Sequence, residues 1–357
     1  MKDLSDNELE FYSRQIALSE IGYEGQLRLR DSSLCIVGLG GLGSPAALQL
    51  AAMGVGYMRL VDQDFVEISN LHRQLLYGAK YVGYPKVEVA AKKLRDLNPN
   101  IRIEPLPVSV NAENAEEIVE GMNVIVDGLD CMTPRYAINR ACQKLKVPYV
   151  FATALMTFGY ISTLIPNKTP CLECFQGNIN DENLPTCVTV GVYTPLLSVV
   201  AGIEASEAVR IILGKEPQLA NKLLYWDVWN LTFEEIEVAR VESCPVCGSS
   251  PSGLPMPLTR KLITETVNRN EKIFRITPRE NLNLELNALA LVVESNGFRI
   301  RVKAELGITF DNEFGETTSI LKSGVTIIRG AKSRKEAYKS FSNLIIDGLG
   351  IPFSKIE

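Results

Sequence analysis

The feature that most constrains this chain is a glycine turn held between an apolar run and a helix-forming run. Ser33-Leu34-Cys35-Ile36-Val37 reads as a short buried strand that stops at Gly38, and Gly38, Gly40 and Gly43 then give the spacing G-x-G-x-x-G, with Gly41 inside it. Ala46 to Met53 are mostly strong helix formers ended by Gly54, with Ser44 expected as N-cap and Pro45 at the first helical position. A strand, a tight turn and a helix in that order aim backbone N–H groups and the positive end of a helix dipole at whatever lies over the glycines, which favours phosphate. The next strand, 57–61, delivers Asp62 about twenty residues after the glycines, where a carboxylate can accept hydrogen bonds from ribose hydroxyls. Up to this point NAD and ATP fit equally well.

Residues after Asp62 separate the two. Ser69 reads as the N-cap of a short helix carrying Asn70, Arg73 and Gln74, which sets an amide and a guanidinium near the phosphate region. A hydride-transfer site has little use for them. Lys86, after Gly83-Tyr84-Pro85, opens a helix over 87–97 and adds a second cation. A strand over 123–127 ends in Gly128-Leu129-Asp130, placing a carboxylate at the edge of the sheet where open α/β folds hold ligands. Asp130 is then a natural ligand for magnesium (Mg2+), an ion usually held by one or two carboxylates and substrate phosphates. This set suits attack of a carboxylate on the α-phosphate of ATP, with no general base and with catalysis reduced to positioning and charge neutralisation. The single histidine, His72, reads as a helix-surface residue rather than a catalyst.

The stretch from Gly38 to Gln74, including Asp62-Gln63-Asp64 and Ser69-Asn70-Leu71-His72-Arg73-Gln74, resembles the MoeB/ThiF/HesA family of adenylyltransferases over roughly the first 250 residues. Those enzymes activate the C-terminus of ubiquitin-like proteins. The resemblance implies an ATP site at Gly40, Gly41, Asp62, Asn70, Arg73, Lys86 and Asp130, with Gly38, Gly43 and Asp64 in the same motifs. It also implies that Arg14, in Tyr12-Ser13-Arg14-Gln15-Ile16, reaches a neighbouring subunit's site in an obligatory homodimer. From the residues alone, Arg14 is an exposed position on an amphipathic helix opened by a Ser5…Glu8 capping box. Asp127 and Arg135 fit the family's Asp-x-x-Asp…Arg pattern. The implied substrate is a ubiquitin-like sulfur-carrier protein ending in Gly-Gly, serving molybdopterin, thiamine or tRNA thiolation, with the sulfur donor unidentified.

Cys171, Cys174, Cys244 and Cys247 form two C-x-x-C pairs, the usual framework for a four-thiolate zinc (Zn2+) site without an open coordination position. Such a metal ties the chain after Pro170 to the end of the core domain. Cys187 lies in a loop where some branches of the family form a thioester, acyl-disulfide or persulfide and others dispense with the cysteine. No Lys, Arg or His stands within five residues of it to favour a thiolate, and both readings stay open. Cys35, Cys131 and Cys142 read as small buried residues.

Strands near 34–37, 57–61, 101–106, 123–127 and 148–153 alternate with helices near 45–53, 87–97, 112–120 and 133–145, a Rossmann-like, doubly wound, mostly parallel α/β sheet. Strands at 158–165, 223–228 and 233–238 suggest an antiparallel continuation, and the 173–192 stretch is expected to cross over the site. A linker by composition follows the second cysteine pair, dividing the chain into residues 1–250 and a small α+β domain over 251–357. In that domain strands are expected at 272–276, 298–302, 307–310, 317–321 and 325–328, with helices at 284–294 and 334–345. Its sixteen basic and twelve acidic residues give it +4 against −9 for the rest, a solvated face more than a nucleic-acid surface. It has no cysteine, so it cannot act as the persulfide-bearing sulfurtransferase domain found at this end of many relatives. No membrane span and no positively charged leader are read, so a cytoplasmic protein is expected, and a nucleic-acid partner is not. An NAD-dependent oxidoreductase, an adenylyltransferase acting on a peptide or tRNA, and a non-catalytic scaffold are the competing functions.

Overall fold

The computed structural model describes residues 3–181, 184–268, 271–312 and 315–357. β1 (Ser33–Val37), β2 (Tyr57–Val61), β3 (Arg102–Leu106), β4 (Val124–Asp127) and β5 (Tyr149–Leu155) pair in parallel in the order β3-β2-β1-β4-β5. β6 (Phe158–Leu164), β7 (Lys222–Asp227) and β8 (Thr232–Glu237) continue the same sheet antiparallel, giving eight strands. The reversal at β5 needs only the short link at Met156 and Thr157, whereas each parallel step needs a crossover helix.

Alternation along β1 sends Leu34 and Ile36 to one face and Cys35 and Val37 to the other. The first face is covered by the Gly43–Ala52, Lys86–Leu97 and Thr194–Ile212 helices through Leu50, Val87, Leu94 and Ala205. The second is covered by the Ala115–Val119 and Met132–Leu145 helices through Ile118, Tyr136 and Ile138. Burial on both faces explains why β1 and β4 are continuous apolar runs. Among the described residues, no helix is long and apolar enough to cross a membrane.

A second, antiparallel sheet follows. β9 (Ile263–Asn268), β10 (Glu271–Ile276), β11 (Arg299–Lys303), β12 (Gly307–Asp311), β13 (Thr317–Leu321) and β14 (Thr326–Arg329) lie in the order β11-β12-β13-β14-β10-β9. Phe274, Ile276, Phe310, Ile320 and Ile328 face the Leu286–Ser295 and Arg334–Ser342 helices, where Leu289, Val293 and Phe341 complete a core of their own.

Local departures from the sequence expectations have local causes. The first crossover helix begins at Gly43, with Leu42 in the cap position, and Ser44 lies within its first turn, where its N–H and its hydroxyl (2.7 Å) both donate to Gly40 O. The helix expected over 112–120 starts at Ala115, since Asn111 and Asn114 use their side chains to form a turn ahead of it. The last long helix is α-helical only to Ser342 and widens into a π turn over Asn343–Gly348. β9 was not anticipated; it is an edge strand paired to β10 alone. In the crossover over the site, residues 182 and 183 lie outside the described residues.

Candidate nucleotide site and cysteine cluster

The glycine turn is made by backbone contact. Gly38 sits at a φ of +88°, and a Cβ there would meet Gly128 O at 2.4 Å, while a Cβ on Gly43 would meet Gly38 O at 1.8 Å. The turns after β1 and β4 are thus packed main chain to main chain, which demands glycine. A Cβ on Gly41 would press on Leu197 at 2.9 Å. Gly40 is different, because its nearest neighbours are Gln74 Nε2 at 3.8 Å and Gly128 O at 3.9 Å. It leaves an open cradle rather than relieving a clash. The buried Oε1 atoms of Gln63 and Gln74 have no hydrogen-bond partner, so unsatisfied polar groups border this cradle and the end of β2.

Asp62, at the end of β2, accepts from Leu39 N (2.6 Å) with one oxygen and from Asp64 N (2.7 Å) with the other. It fixes the glycine turn and keeps spare lone pairs for a ribose. Asp64 accepts from Lys86 Nζ at 3.1 Å and from Arg275 Nη2 at 2.8 Å. Burial would raise the Asp64 carboxyl, but these two cations reverse that and hold it well below the usual carboxylate range. Lys86 is only 4% exposed; burial opposes its charge, yet Asp64 and Asp62 keep its pKa above the ordinary lysine value.

The segment after Asp64 forms a 3₁₀ turn, Ile68–Asn70, capped by Glu67 and not by Ser69, whose hydroxyl donates back to Glu67 (3.2 Å). Asn70 is buried and its Oδ1 accepts from Glu67 N, while the guanidinium of Arg73 donates to Ser69 O at 2.6 Å. His72 is exposed, and its carbonyl accepts from Thr194 Oγ1, tying this segment to the start of the Thr194–Ile212 helix.

Asp130 is exposed just past β4. Asp127, three residues earlier, is fully buried and accepts from Arg135 Nε (3.0 Å), Tyr149 OH (2.6 Å) and Leu129 N (2.8 Å). Arg135 completes this closed pair by donating to Leu129 O and Ala152 O. Asp181 reaches from the crossover to accept from Met132 N, Thr133 N and Thr133 Oγ1, so the crossover caps the helix that follows Asp130.

Cys187 opens the short Cys187–Val190 helix in the crossover, half-buried, with its sulfur 3.8 Å from Ala154 O. Burial pushes its thiol up; Arg73 pulls it down and Asp130 pushes it up, so the fold brings these three into one neighbourhood. The sequence offered no cation near Cys187, and Arg73 supplies one through space. Arg14 is exposed on the Ser13–Ile16 helix, whose Gln15 bonds to Met53 O at the end of the Gly43–Ala52 helix remote from the glycine turn. Arg275 and Arg329 had no signal in the sequence beyond strand alternation, which sets Ile273 and Arg275 on the face opposite Phe274 and Ile276.

The four sulfurs of Cys171, Cys174, Cys244 and Cys247 lie within 4.8 Å of one another. Three of the contacts are Cys171–Cys244 at 3.7 Å, Cys174–Cys247 at 3.4 Å and Cys171–Cys174 at 4.0 Å. A tetrahedral zinc with sulfur ligands at about 2.3 Å sets its sulfurs about 3.8 Å apart, so the donor set fits that ion.

The ThiF family model matches residues 12–246. The chain belongs to the ThiF family. Among relatives of this ThiF-family chain, the SAMP-activating enzyme E1 of Haloferax volcanii is 40% identical over 246 residues, covering 69% of this chain and 91% of that protein. The sulfur carrier protein adenylyltransferase of Thermus thermophilus is 40% identical over 251 residues, covering 69% and 93%. A crystal structure of E. coli MccB with MccA-N7isoASN shares the fold at a TM-score of 0.61 and 24% identity, covering 67% of this chain and 75% of that one. Arg275 and Arg329 lie beyond the matched residues.

Proposed function

We propose that this ThiF-family enzyme uses ATP to adenylylate the C-terminal glycine of a ubiquitin-like sulfur carrier. Family membership and the names of the two relatives favour ATP over NAD as the ligand of the glycine turn. The observation that carries the reading is the convergence of an open glycine cradle, the buried ammonium of Lys86 and the exposed carboxylate of Asp130 at the ends of β1, β2 and β4. The carrier's terminal carboxylate is already ionised at neutral pH. Its oxygen bonds to the α-phosphorus, the bond to the β-phosphate oxygen breaks, and pyrophosphate leaves with that electron pair. No proton moves, so the protein's contribution is orientation and charge.

In this reading Gly38, Gly40, Gly41 and Gly43 shape the phosphate cradle, Asp62 accepts from the ribose, and Asn70, Arg73 and Lys86 face the phosphates with Asp64 positioning Lys86. Asp130 would hold magnesium, which offsets phosphate charge when bound. The cysteine cluster would hold a structural zinc, and metal analysis is expected to return about one zinc per chain. Arg14 would enter the site of a second copy in a homodimer. Transfer of the acyl group to Cys187, with its sulfur attacking the acyl carbon, its proton lost and AMP released, is the optional second step. Residues 1–250 would carry the glycine turn, Lys86, Asp130 and the cysteine cluster, and 251–357 would fold as a small α+β domain with a core of its own, in a cytoplasmic protein.

The test is ATP–pyrophosphate exchange with magnesium and ubiquitin-like proteins that end in Gly-Gly. Exchange that depends on one such carrier, and disappears when its last glycine is removed, is expected. ATP binding without exchange for every Gly-Gly carrier would overturn the reading.

A further inference from the structure

The C-terminal sheet does not hang free of the nucleotide site. On the face turned away from its own helices, Ile273 packs with Leu321, Val325, Ile327 and Phe65, and Phe65 stands between Asp64 and Glu67 in the segment that follows β2. Register pairs Arg275 with Ile327 and Ile273 with Arg329, so the two arginines flank this apolar contact. Arg275 donates to Asp64 and Arg329 donates to Glu67. Hydrogen bonds extend the seam on both sides. Glu88, in the first turn of the helix opened by Lys86, accepts from Leu306 N at 2.8 Å and Glu305 N at 3.2 Å. Thr309 Oγ1 donates to Gly83 O, and Ser323 Oγ donates to Pro107 O just past β3.

Of the two cross-sheet ion pairs, the one at Arg275 stands among the residues assigned to the nucleotide. Its guanidinium shares the Asp64 carboxylate with Lys86, and the carboxylates of Asp130 and Asp62 also favour its charge. Its Nε–H is buried without a hydrogen-bond acceptor. An orphaned donor on a fixed cation is costly to leave unmade, and a phosphate oxygen is the acceptor for which a guanidinium is shaped. The side chain as a whole is 32% exposed, although Nε itself is covered.

We propose that Arg275 is a nucleotide-binding residue, supplied by the C-terminal domain, whose guanidinium takes a phosphate oxygen of ATP and which thereby makes that domain part of the active site. This rests on the ATP reading of the glycine cradle. Once phosphates enter, Arg275 and Lys86 exchange part of their contact with Asp64 for contact with the ligand, and Asp64 keeps both cations in place. Arg329 lies in the same interface but pairs with Glu67, and serves only to dock the sheet.

The experiment compares full-length wild type, Arg275→Gln, Arg275→Lys and Arg329→Gln by direct calorimetric titration with ATP and magnesium, and by the KM for ATP in carrier-dependent exchange. Loss of one charge-assisted contact is expected to weaken ATP binding about ten- to hundredfold in Arg275→Gln. Arg275→Lys is expected to recover part of this, and Arg329→Gln to bind ATP as wild type does. The KM for the carrier should not move. Wild-type ATP affinity in Arg275→Gln, or equal weakening in Arg329→Gln, would overturn the proposal and leave Arg275 as a docking residue. Failure of exchange with every carrier, alongside selective loss of ATP affinity in Arg275→Gln, would sink the carrier reading and leave this inference standing. Absence of ATP binding in wild type would sink both.

Discussion

Two arginine–carboxylate pairs stand at the same edge of the large sheet and differ in kind. Asp127 and Arg135 are 0% and 6% exposed, and the hydrogen bonds to Tyr149, Leu129 and Ala152 close the pair on all sides. Asp64 and Arg275 are each 32% exposed, share their charge with Lys86 and leave Arg275 Nε unpartnered. A closed pair holds its surroundings in one arrangement. An open pair, with a donor to spare, is arranged for something that arrives later.

That contrast is most exposed to failure at the closed pair. Asp127→Ala strands a buried guanidinium, and we expect a loss of about 3–5 kcal/mol in urea unfolding. A loss below about 1 kcal/mol would mean that Arg135 escapes to solvent and the pair is not closed.

Glu204 sharpens the comparison, since it lies buried on the Thr194–Ile212 helix in the field of that pair, with both carboxyl oxygens unpartnered. Burial, then the charge of Asp127, pushes its pKa well above the ordinary value against the pull of Arg135. A carboxyl raised on folding keeps its proton in the native state and loses it in the unfolded chain. Its stabilising contribution is complete below about pH 4.3 and declines as pH rises towards the folded value. Glu204→Gln removes that slope, so the variant is expected to gain on wild type by up to about 1.4 kcal/mol per pH unit above about pH 5. Parallel pH–stability curves would show that Glu204 is ionised in the folded protein.

The smallest effect is expected at the open pair. Arg275→Gln removes a partly exposed ion pair, and its stability should stay within about 1 kcal/mol of wild type while its ATP affinity falls. A large stability loss there would make the two pairs alike.

How far the sequence disclosed this arrangement depends on what each residue leans on. The strand, turn and helix around Gly38 could be read because strand ends, glycine spacing and helix formers are local signals that agree, and the four cysteines because their spacing is itself the ligand pattern. Ser44 and Ser69 misled as caps, since both lie inside the turns they were expected to open, with their hydroxyls donating to the Gly40 carbonyl and the Glu67 carboxylate. The neighbourhood of Cys187 was hidden because its cation, Arg73, comes from a segment more than a hundred residues earlier. Arg275 was hidden for the same reason, 211 residues from Asp64 and in a sheet without a motif, where alternation says which face an arginine takes but not what that face meets.

The most direct test of the account sets carrier-dependent ATP–pyrophosphate exchange beside thermal unfolding for wild type and Asp130→Ala. Asp130 is exposed, so the variant should unfold at the wild-type temperature while exchange falls below about a thousandth of wild type. Exchange at the wild-type rate in a folded Asp130→Ala protein would contradict the assignment of this sheet edge to adenylate chemistry.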